Sequence, residues 1–455
     1  MKRLTTILFF LALASEGLFA QRDAIVDAVL KAVDSGKVPV LAVPDMRGTG
    51  DAQRYMDMFN KTLFADLQDS GIFEMKSKSF YPLEVPQRPQ DFKAPVNGQK
   101  QGPWLSDWSK DPVNANYMTV GYTGMQDNRL SLFGWFFNVG QPDVASAQLL
   151  GRIYFADAND DGARKLAHDF AKDILAKFGV QSMIGTKIYY TSNRMGTKEI
   201  WSMDWDGGNK KQVARIDGTF AAVSPDGSRL AFMSFSKGAP SIVMMSLESG
   251  RILPYYNQRA SMNSNPEFTR DGKLIFSSTA HVTSSASGFA NLYTSNLDGS
   301  GIRRMAAVPA IEVEPKVNPK NGSEIVFVSG RSGPQQVYKM SIEGSDVVRL
   351  TPGDGQASNP AWHPDGQHIA FSWTKGYDPG NFNIFLMDVV TRTYVQLTHG
   401  QGRNENPSWA PDGRHIVFSS NRGGRNQIWT MLADGTNVRQ LTSEGVNTNP
   451  VWSPK

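Results

Sequence analysis

The second half of the chain alternates between apolar and polar residues with a period of two. One set of short apolar stretches ends in phenylalanine, at 230–232, 274–276, 325–327, 369–371 and 416–418. A second set alternates large apolar residues with others, at 200–203, 242–245, 292–295, 337–340, 384–387 and 428–431. A period of two is that of a strand with one face buried, so both sets predict short β-strands.

Recurring turn sequences separate these strands. A Pro-Asp-Gly turn, or a variant of it, precedes the first set, and its glycines are at 227, 272, 322, 366 and 413. Proline fixes φ at the second turn position, and Asp-Gly tolerates the tight reversal. A second turn, with glycine at 207, 250, 299, 344 and 435, follows the second set and leads to one more short strand. The repeat therefore holds four short strands, which is the anatomy of a β-propeller blade.

The C-terminal sequence completes the count of blades. Asn-Pro-Val-Trp-Ser-Pro at 449–454 matches Asn-Pro-Ser-Trp-Ala-Pro at 406–411, which reads as the innermost strand of the preceding repeat. The first repeat, which begins at 187–190, lacks an innermost strand of its own. We therefore expect the C-terminal strand to complete the first blade and to close a six-bladed ring, which leaves only short, protected strand edges.

The residues before 185 have a different pattern, which predicts a small α/β domain. Strands are expected at 38–43, 72–75, 117–122, 130–139 and 149–155, and helices at 51–68 and 161–178. Residues 82–113, which are rich in Pro, Gln and Lys, are predicted to form a long loop. The predicted fold is thus an N-terminal α/β domain over 21–185 followed by an all-β six-bladed propeller over 186–455.

The N-terminus has the pattern of a secretory signal peptide. Lys2 and Arg3 precede an apolar stretch at 4–14 that is too short to span a bilayer, and small residues follow up to Ala20. Residues 1–20 are therefore predicted to be a signal peptide, and the rest of the chain to be exported. A buried N-terminal strand is the alternative for this segment.

Composition and charge exclude several classes of function. The formal net charge is +4, and no long run of like charge is present, so no nucleic-acid-binding arm is expected. The chain has no cysteine, which excludes disulfides, thiolate metal sites and cysteine nucleophiles. An exported chain without disulfides depends on the burial of its core, which 455 residues can supply.

One segment resembles half of a calcium-binding loop. Residues 157–162 match the first half of an EF-hand, but the twelfth position, where a bidentate Glu is needed, is His168. We interpret the segment as a polar turn that caps the following helix and gives it an acidic first turn.

Catalytic motifs are also missing. Neither a Gly-x-Ser-x-Gly elbow nor a His-Glu-x-x-His motif is present. His363, His368 and His415 occur at repeat turns where other repeats carry Ser, Ala, Arg or Lys, and this interchange indicates solvent-facing turn residues. The sequence thus predicts a binding protein rather than an enzyme, with no catalytic residue, no cofactor and no metal site.

The repeat as a whole has a recognisable form. It runs Asn-Pro-x-Trp, Pro-Asp-Gly, Ile-Ala/Val-Phe, Ile-Trp/Tyr-x-Met, Asp-Gly and Leu-Thr. Together with the α/β domain, the signal sequence and the C-terminal Asn-Pro-Val-Trp-Ser-Pro, this repeat resembles the TolB family, periplasmic propeller proteins of the Tol–Pal envelope system. Residues 66–73, Asp-Leu-Gln-Asp-Ser-Gly-Ile-Phe, also resemble the family's pattern. The resemblance covers almost the whole chain after the signal sequence.

The resemblance implies a non-enzymatic scaffold that serves envelope integrity and cell division in the periplasm. It implies that Pal, the peptidoglycan-associated lipoprotein, binds at the propeller mouth and that TolA binds the N-terminal segment. We expect a monomer that is peripheral to the outer membrane through its partner. Family members begin with a short strand-like segment, whereas residues 24–33 here alternate as a helix does.

The candidate binding residues come from the segments that enter the innermost strands, because these segments crowd around one mouth of a propeller. Next to each Asn-Pro or Glu-Pro pair the residues mix apolar and polar types, as interface centres and rims do. The candidates are Met262, Asn263, Val313, Glu314, Ser358, Asn359, Glu405 and Asn406. For the residues directly before proline, a role in shaping the turn is the alternative.

Two other functions remain open from the sequence. A secreted propeller-type hydrolase or lyase would need an appended catalytic domain or charged residues that converge in the channel. A propeller that binds cell-wall saccharide is the second alternative.

Overall fold

The structure is a computed structural model that describes residues 38–280, 288–375 and 380–454. The predicted signal peptide at 1–20 and the predicted helical segment at 24–33 lie outside the described residues. The chain separates into two compact units, whose described parts cover residues 38–184 and 185–454.

The N-terminal unit contains one mixed sheet. Its strands, in spatial order, are Glu74–Met75, Val40–Ala42, Tyr117–Gln126, Arg129–Asn138 and Gln148–Asp157, and Arg47–Gly48 also pairs with Tyr117–Gln126. Val40–Ala42 is parallel to both of its neighbours, whereas the last three strands of this order are antiparallel. The helices are the α-helices Met56–Asp69, Ser106–Ser109, Val144–Ala147 and Asp160–Ala176 and the 3-10 turns Gly50–Tyr55, Lys78–Phe80 and Pro89–Asp91.

The two long helices of this unit pack together along their apolar faces. In Asp160–Ala176 the residues at 163, 166, 167, 170, 171 and 174 are buried, which is the spacing of one helical face. The Nδ1 atom of His168 lies 2.7 Å from Oδ2 of Asp66 on the other helix. His168 therefore joins two helices of this unit.

The turn before the second long helix is a helix cap, as interpreted from the sequence. The side-chain Oδ1 of Asn159 accepts a hydrogen bond of 2.7 Å from the backbone N–H of Gly162. Asp160 and Asp161 form the acidic first turn, where the helix dipole favours negative charge.

The segment 82–113 is more ordered than the predicted loop. It contains the turn Pro89–Asp91 and the short helix Ser106–Ser109, and it buries Phe92 and Trp108 in the core of the unit. The Phe92 ring contacts Phe137 of the sheet edge-on, with 5.4 Å between the ring centres. The polar composition of the segment concealed these few apolar contacts.

The second unit consists of six four-stranded antiparallel sheets, which are the blades of the predicted propeller. The innermost strands of blades 1 to 6 are Asn447–Trp452, Thr219–Val223, Asn263–Phe268, Glu312–Val317, Ala357–Trp362 and Asn404–Trp409. The second strands are Lys187–Ser192, Arg229–Ser234, Lys273–Ser278, Glu324–Ser329, His368–Trp373 and His415–Ser420. The third strands are Glu199–Asp204, Ser241–Ser246, Asn291–Asn296, Gln336–Ser341, Asn383–Asp388 and Gln427–Leu432. The outer strands are Lys211–Asp217, Ile252–Leu253, Arg303–Arg304, Val348–Arg349, Tyr394–Gln396 and Arg439–Gln440.

The C-terminal strand closes the ring, as predicted. Asn447–Trp452 pairs antiparallel with Lys187–Ser192, so blade 1 joins the two ends of the propeller. The innermost strands of consecutive blades pack on each other around a complete circuit that includes blades 6, 1 and 2. The fold class expected from the sequence is therefore confirmed.

Burial follows the order of the strands in each blade. The second strands are almost entirely buried, because blades cover both of their faces. Tryptophan ends the innermost strand of blades 1, 5 and 6 and is buried there. In blade 5 the indole N–H of Trp362 donates a hydrogen bond of 3.0 Å to the Lys316 carbonyl of blade 4. The core of the propeller thus lies within and between the blades, and the innermost strands are free to line the channel.

Candidate protein-binding mouth of the propeller

The innermost strands begin at one end of the ring, which we call the upper mouth, and the Pro-Asp-Gly turns lie at the opposite end, the lower mouth. Each innermost strand carries a register shift against its second strand. At each shift one residue has a positive φ, namely Phe220, Asn265, Glu314, Asn359, Asn406 and Asn449. Asparagine tolerates the left-handed region better than most residues do, which explains its repetition before proline. The turn-shaping alternative therefore describes this position well.

These left-handed residues connect neighbouring blades. The backbone N–H of Asn359 donates to Oε2 of Glu314 at 2.6 Å, and its side-chain Nδ2 donates to Oε1 at 3.0 Å. One blade further, the backbone N–H of Asn406 reaches Oδ1 of Asn359 at 3.4 Å. Bulges re-aim side chains, and here they direct them along the circumference of the channel.

Charged side chains converge along the channel, but each has a partner. Lys316 Nζ lies 2.8 Å from Oε2 of Glu267, and the guanidinium of Arg403 binds Glu405 at 2.7 Å. Burial raises the pKa of Glu314, whose carboxylate the inner strands enclose, and the Glu405 charge adds to this, while the Asn359 N–H and Lys316 oppose it. Lys316–Glu267 and Arg403–Glu405 are thus ion pairs, whereas Glu314 accepts its hydrogen bonds from the neutral Asn359.

The structure divides the eight predicted site residues into two groups. Asn263 and Ser358 are buried, with 3% and 9% of their surface exposed. The others keep partial exposure, and they are Met262, Val313, Glu314, Asn359, Glu405 and Asn406. Only this second group can present side-chain atoms to a partner without a rearrangement of the strands.

A polar cleft beside Asn263 contains binding atoms that the sequence did not indicate. It lies between the connections 237–241 and 255–260, and Lys237 and Arg259 on its wall are exposed. Three of its buried polar atoms lack a hydrogen-bond partner in the described structure, and they are Ser241 Oγ, Gln258 Nε2 and Asn263 Oδ1. Buried polar atoms are ordinarily paired, so these three atoms form a local cluster of unmet hydrogen-bonding capacity in the wall of the cleft.

Arginines repeat at the same mouth. Arg194, Arg331 and Arg422 each follow a second strand in a Ser-x-Arg sequence. Their guanidinium groups lie over Trp201, Tyr338 and Trp429, at 4.3, 5.2 and 4.9 Å from the ring centres. Stacking on aromatic faces orders these cations at the rim. The Ser-x-Arg repeat at 192–194, 329–331 and 420–422 is the sequence signal that could have identified them.

The histidines of the repeat turns are buried, and their predicted solvent-facing position is wrong. His363, His368 and His415 expose only 7%, 4% and 3% of their surface. His363 packs edge-on against the Trp409 ring of blade 6, with 4.6 Å between ring centres. The turns of neighbouring blades pack on each other at the lower mouth, which buries side chains that an isolated turn would expose.

None of the helices in the described ranges combines the length and the apolar content that a membrane span requires.

The family model described as "TolB beta propeller domain" matches residues 220–376 and 353–455, which together are more than half of the chain.

Relatives and a solved structure agree with this match. A "Protein TolB homolog" of Chlorobium luteolum is 29% identical over 424 residues, which is 92% of this chain and 90% of the relative. The "Tol-Pal system protein TolB" of Bordetella pertussis is 32% identical over 208 residues, 45% of each chain. The crystal structure of TolB from Acinetobacter baumannii has the same fold, with a TM-score of 0.74, 22% identity and coverage of 93% of this chain and 98% of that one.

These matches distinguish between the classes of function that the sequence left open. The matched relatives carry the names of TolB proteins, one of them that of a Tol-Pal system protein, in agreement with the expectation of a non-enzymatic binding protein. The chain belongs to the TolB family.

Proposed function

We propose that this protein is a periplasmic scaffold of a Tol–Pal system and that its upper mouth binds a Pal-like peptidoglycan-associated lipoprotein. Membership of a family with a named Tol-Pal system protein supports the assignment to this system. The N-terminal segment before residue 38 is the part that would contact TolA.

The observation that carries the choice of surface is the polar cleft at the upper mouth. Three side chains of its wall, Ser241, Gln258 and the candidate Asn263, each bury a polar atom that lacks a hydrogen-bond partner. Burial of such atoms without a partner is costly, so a binding partner that fills the cleft and shifts these side chains would supply the missing hydrogen bonds. The lower mouth is instead occupied by turns that bond to one another, as His363 does to the Gly413 carbonyl.

Charge at the upper mouth indicates the chemistry of the partner's contact. Lys237 and Arg259 flank the cleft and are exposed, whereas two of the stacked arginines are already paired, Arg194 with Glu444 and Arg331 with Glu312. Complementary potentials favour association, so the contacting segment of the partner is expected to carry carboxylates. Met262 and Val313 would supply apolar contacts within this charged rim.

The test substitutes the two partly exposed apolar candidates. A Met262→Glu/Val313→Asp variant should lose capture of the soluble domain of the Pal-like lipoprotein and unfold near the parental temperature. The matched control is Ile252→Glu/Val390→Asp, which places the same charges at residues that are 57% and 74% exposed and distant from the upper mouth. The control should bind the lipoprotein as the parent does.

Two outcomes would contradict the proposal. If the rim variant still captures the lipoprotein with parental affinity, the partner binds elsewhere. If the parent binds cell-wall saccharide and not the lipoprotein domain, the saccharide-binding alternative is correct.

A further inference from the structure

The Pro-Asp-Gly turn of blade 5 contains a group of side chains that the binding function does not use. His363 Nδ1 lies 3.0 Å from Oδ1 of Asp365, and His368 Nδ1 lies 2.6 Å from Oδ2 of the same carboxylate. The three potential ligand atoms are all within 4.8 Å of one another. In the ranges that the structure describes, this is the one group of three or more His, Asp or Glu side chains with such an arrangement.

The hydrogen bonds of His363 determine which nitrogen carries its proton. Its Nε2 lies 2.8 Å from the Gly413 carbonyl oxygen. A carbonyl only accepts, so Nε2 is protonated and the lone pair of the neutral ring is on Nδ1. That lone pair accepts the backbone N–H of Asp365 at 3.1 Å and also faces the Asp365 carboxylate. Two electron-rich atoms at 3.0 Å require a cation between them or a second proton on the ring.

In both rings the nitrogen that does not face Asp365, Nε2, faces a group of the kind that orients metal-binding histidines. His363 Nε2 donates to a backbone carbonyl, and His368 Nε2 faces Oδ2 of Asp388 at 3.8 Å. Histidines that bind metal through one nitrogen almost always direct the other to a carbonyl, a carboxylate or water, which fixes the ring. Both rings here therefore direct Nδ1 towards one carboxylate.

Equivalent turns show that the fold does not need two imidazoles at this place. In blades 2 and 3 a hydroxyl bonds the turn aspartate, Ser224 to Asp226 and Thr269 to Asp271, each at 2.5 Å. In blade 6 the pair Asp412 and His415 has the same 2.6 Å contact as Asp365 and His368, but Ala410 replaces the first histidine. Blade 5 is thus the turn in which a second imidazole completes a three-ligand group.

We propose that His363, Asp365 and His368 bind one divalent transition-metal ion, with zinc as the preferred ion. Two imidazoles and a carboxylate suit zinc, and its tetrahedral geometry separates ligand atoms by roughly 3.3 Å. The two nitrogens contact different oxygens of Asp365, at 3.0 and 2.6 Å, which is about 0.3 and about 0.7 Å closer than tetrahedral ligand atoms. The Asp365 side chain is 30% exposed, so water can take the fourth position. The bound ion would link blade 5 to blade 6 through the His363 contact with Gly413.

The test is zinc binding to the full exported chain, prepared without a histidine tag and treated with chelator. Calorimetry should show one zinc ion per chain, and the unfolding temperature should rise with zinc because the ion binds only the folded site.

Matched variants of the two turns separate this site from other zinc binding. His363→Ala gives blade 5 the ligand set of blade 6, and His368→Gln removes the second imidazole while keeping its size. Each should weaken zinc binding at least tenfold. His415→Gln makes the same change in blade 6 and should leave zinc affinity as in the parent, which controls for the loss of one buried histidine.

Two results would overturn the proposal. If the parent binds no zinc in the calorimeter, a second proton on His363 must neutralise its contact with Asp365. If His363→Ala and His368→Gln bind zinc as the parent does, the ion is held elsewhere. Circular dichroism of His363→Ala and His368→Gln without zinc shows whether each variant is folded. The zinc affinity of either variant that is folded is enough to test the site.

Discussion

The backbone N–H of Asn359 donates a hydrogen bond to the Glu314 carboxylate across the boundary between blades 4 and 5, with 2.6 Å between nitrogen and Oε2. Both residues have a positive φ and both precede proline. Asn265, Asn406 and Asn449 hold the same position in other blades, so Glu314 introduces a charge where the repeat has a neutral amide. The bond between blades is kept, but here a partly exposed carboxylate makes it.

Replacement of this carboxylate should change the pH dependence of stability. Burial raises the pKa of Glu314, so the folded state holds its proton more tightly than the unfolded state does. The stabilisation from this group is present at low pH and is lost as the pH rises above the ordinary glutamate pKa of about 4.3. Relative to the parent, Glu314→Asn should therefore become progressively more stable as the pH is raised above about 4.

Thermal unfolding over this pH range checks the Glu314 prediction. Glu248→Asn is the control, because the Glu248 side chain is exposed at a turn. The thermal stability of this control should vary with pH as that of the parent does. A profile of Glu314→Asn that runs parallel to the parental one would show that the folded state does not hold the proton of this carboxylate.

The strand that closes the ring should contribute strongly to stability. Trp452 is 6% exposed, and its indole N–H donates to Thr186 Oγ1 at 2.7 Å. Trp452→Ala should lower the free energy of unfolding by about 3–5 kcal/mol, the usual loss for a buried tryptophan. Thr448→Ala in the same strand, where the side chain is partly exposed, should cost less than about 0.5 kcal/mol.

Deletion of residues 447–455 is the stronger form of this test. It removes the innermost strand of blade 1 and leaves the edge of Lys187–Ser192 unpaired. The unfolding temperature should fall severely. A truncated protein that melts with the parent would show that closure contributes little.

The polar turn at 157–162 should stabilise a helix and should not bind calcium. Asn159→Ala removes the cap on Gly162 N–H and should cost about 1 kcal/mol in denaturant unfolding. Calcium should leave the parental unfolding curve unchanged, because His168 is paired with Asp66 on another helix. A calcium-binding event in the parent that Asp161→Ala abolishes would contradict this prediction.

The propeller should fold without the N-terminal unit. The six sheets of the ring draw all their strands from Lys187 to Trp452, and the sheet of the N-terminal unit has its strands before residue 158. Residues 186–455 expressed alone should thus give the circular-dichroism spectrum of an all-β protein. The spectrum of an unfolded chain would place the boundary of the folding unit elsewhere.

Much of the architecture follows from the sequence alone, because its signals are local. Strand alternation, the Pro-Asp-Gly turns and their spacing each depend on a few consecutive residues, and they predicted the blades directly. The unpaired strand sequence at 449–454 predicted closure, since the repeat at 187 lacked the same element. The asparagines before proline also follow a local rule, because the bulge needs a residue that tolerates positive φ.

Contacts between blades were decided only by the tertiary structure. Glu314 and Asn359 are 45 residues apart, and the closeness of their side chains depends on how adjacent innermost strands pack. The same packing buries His363 against Trp409, although the sequence of its turn is typical of an exposed one. Trp108 is likewise buried in the core of the N-terminal unit, and no periodic pattern in its own segment predicts this burial. Periodicity reports which face of an element is apolar, whereas the neighbour that covers that face is set by the packing of distant segments.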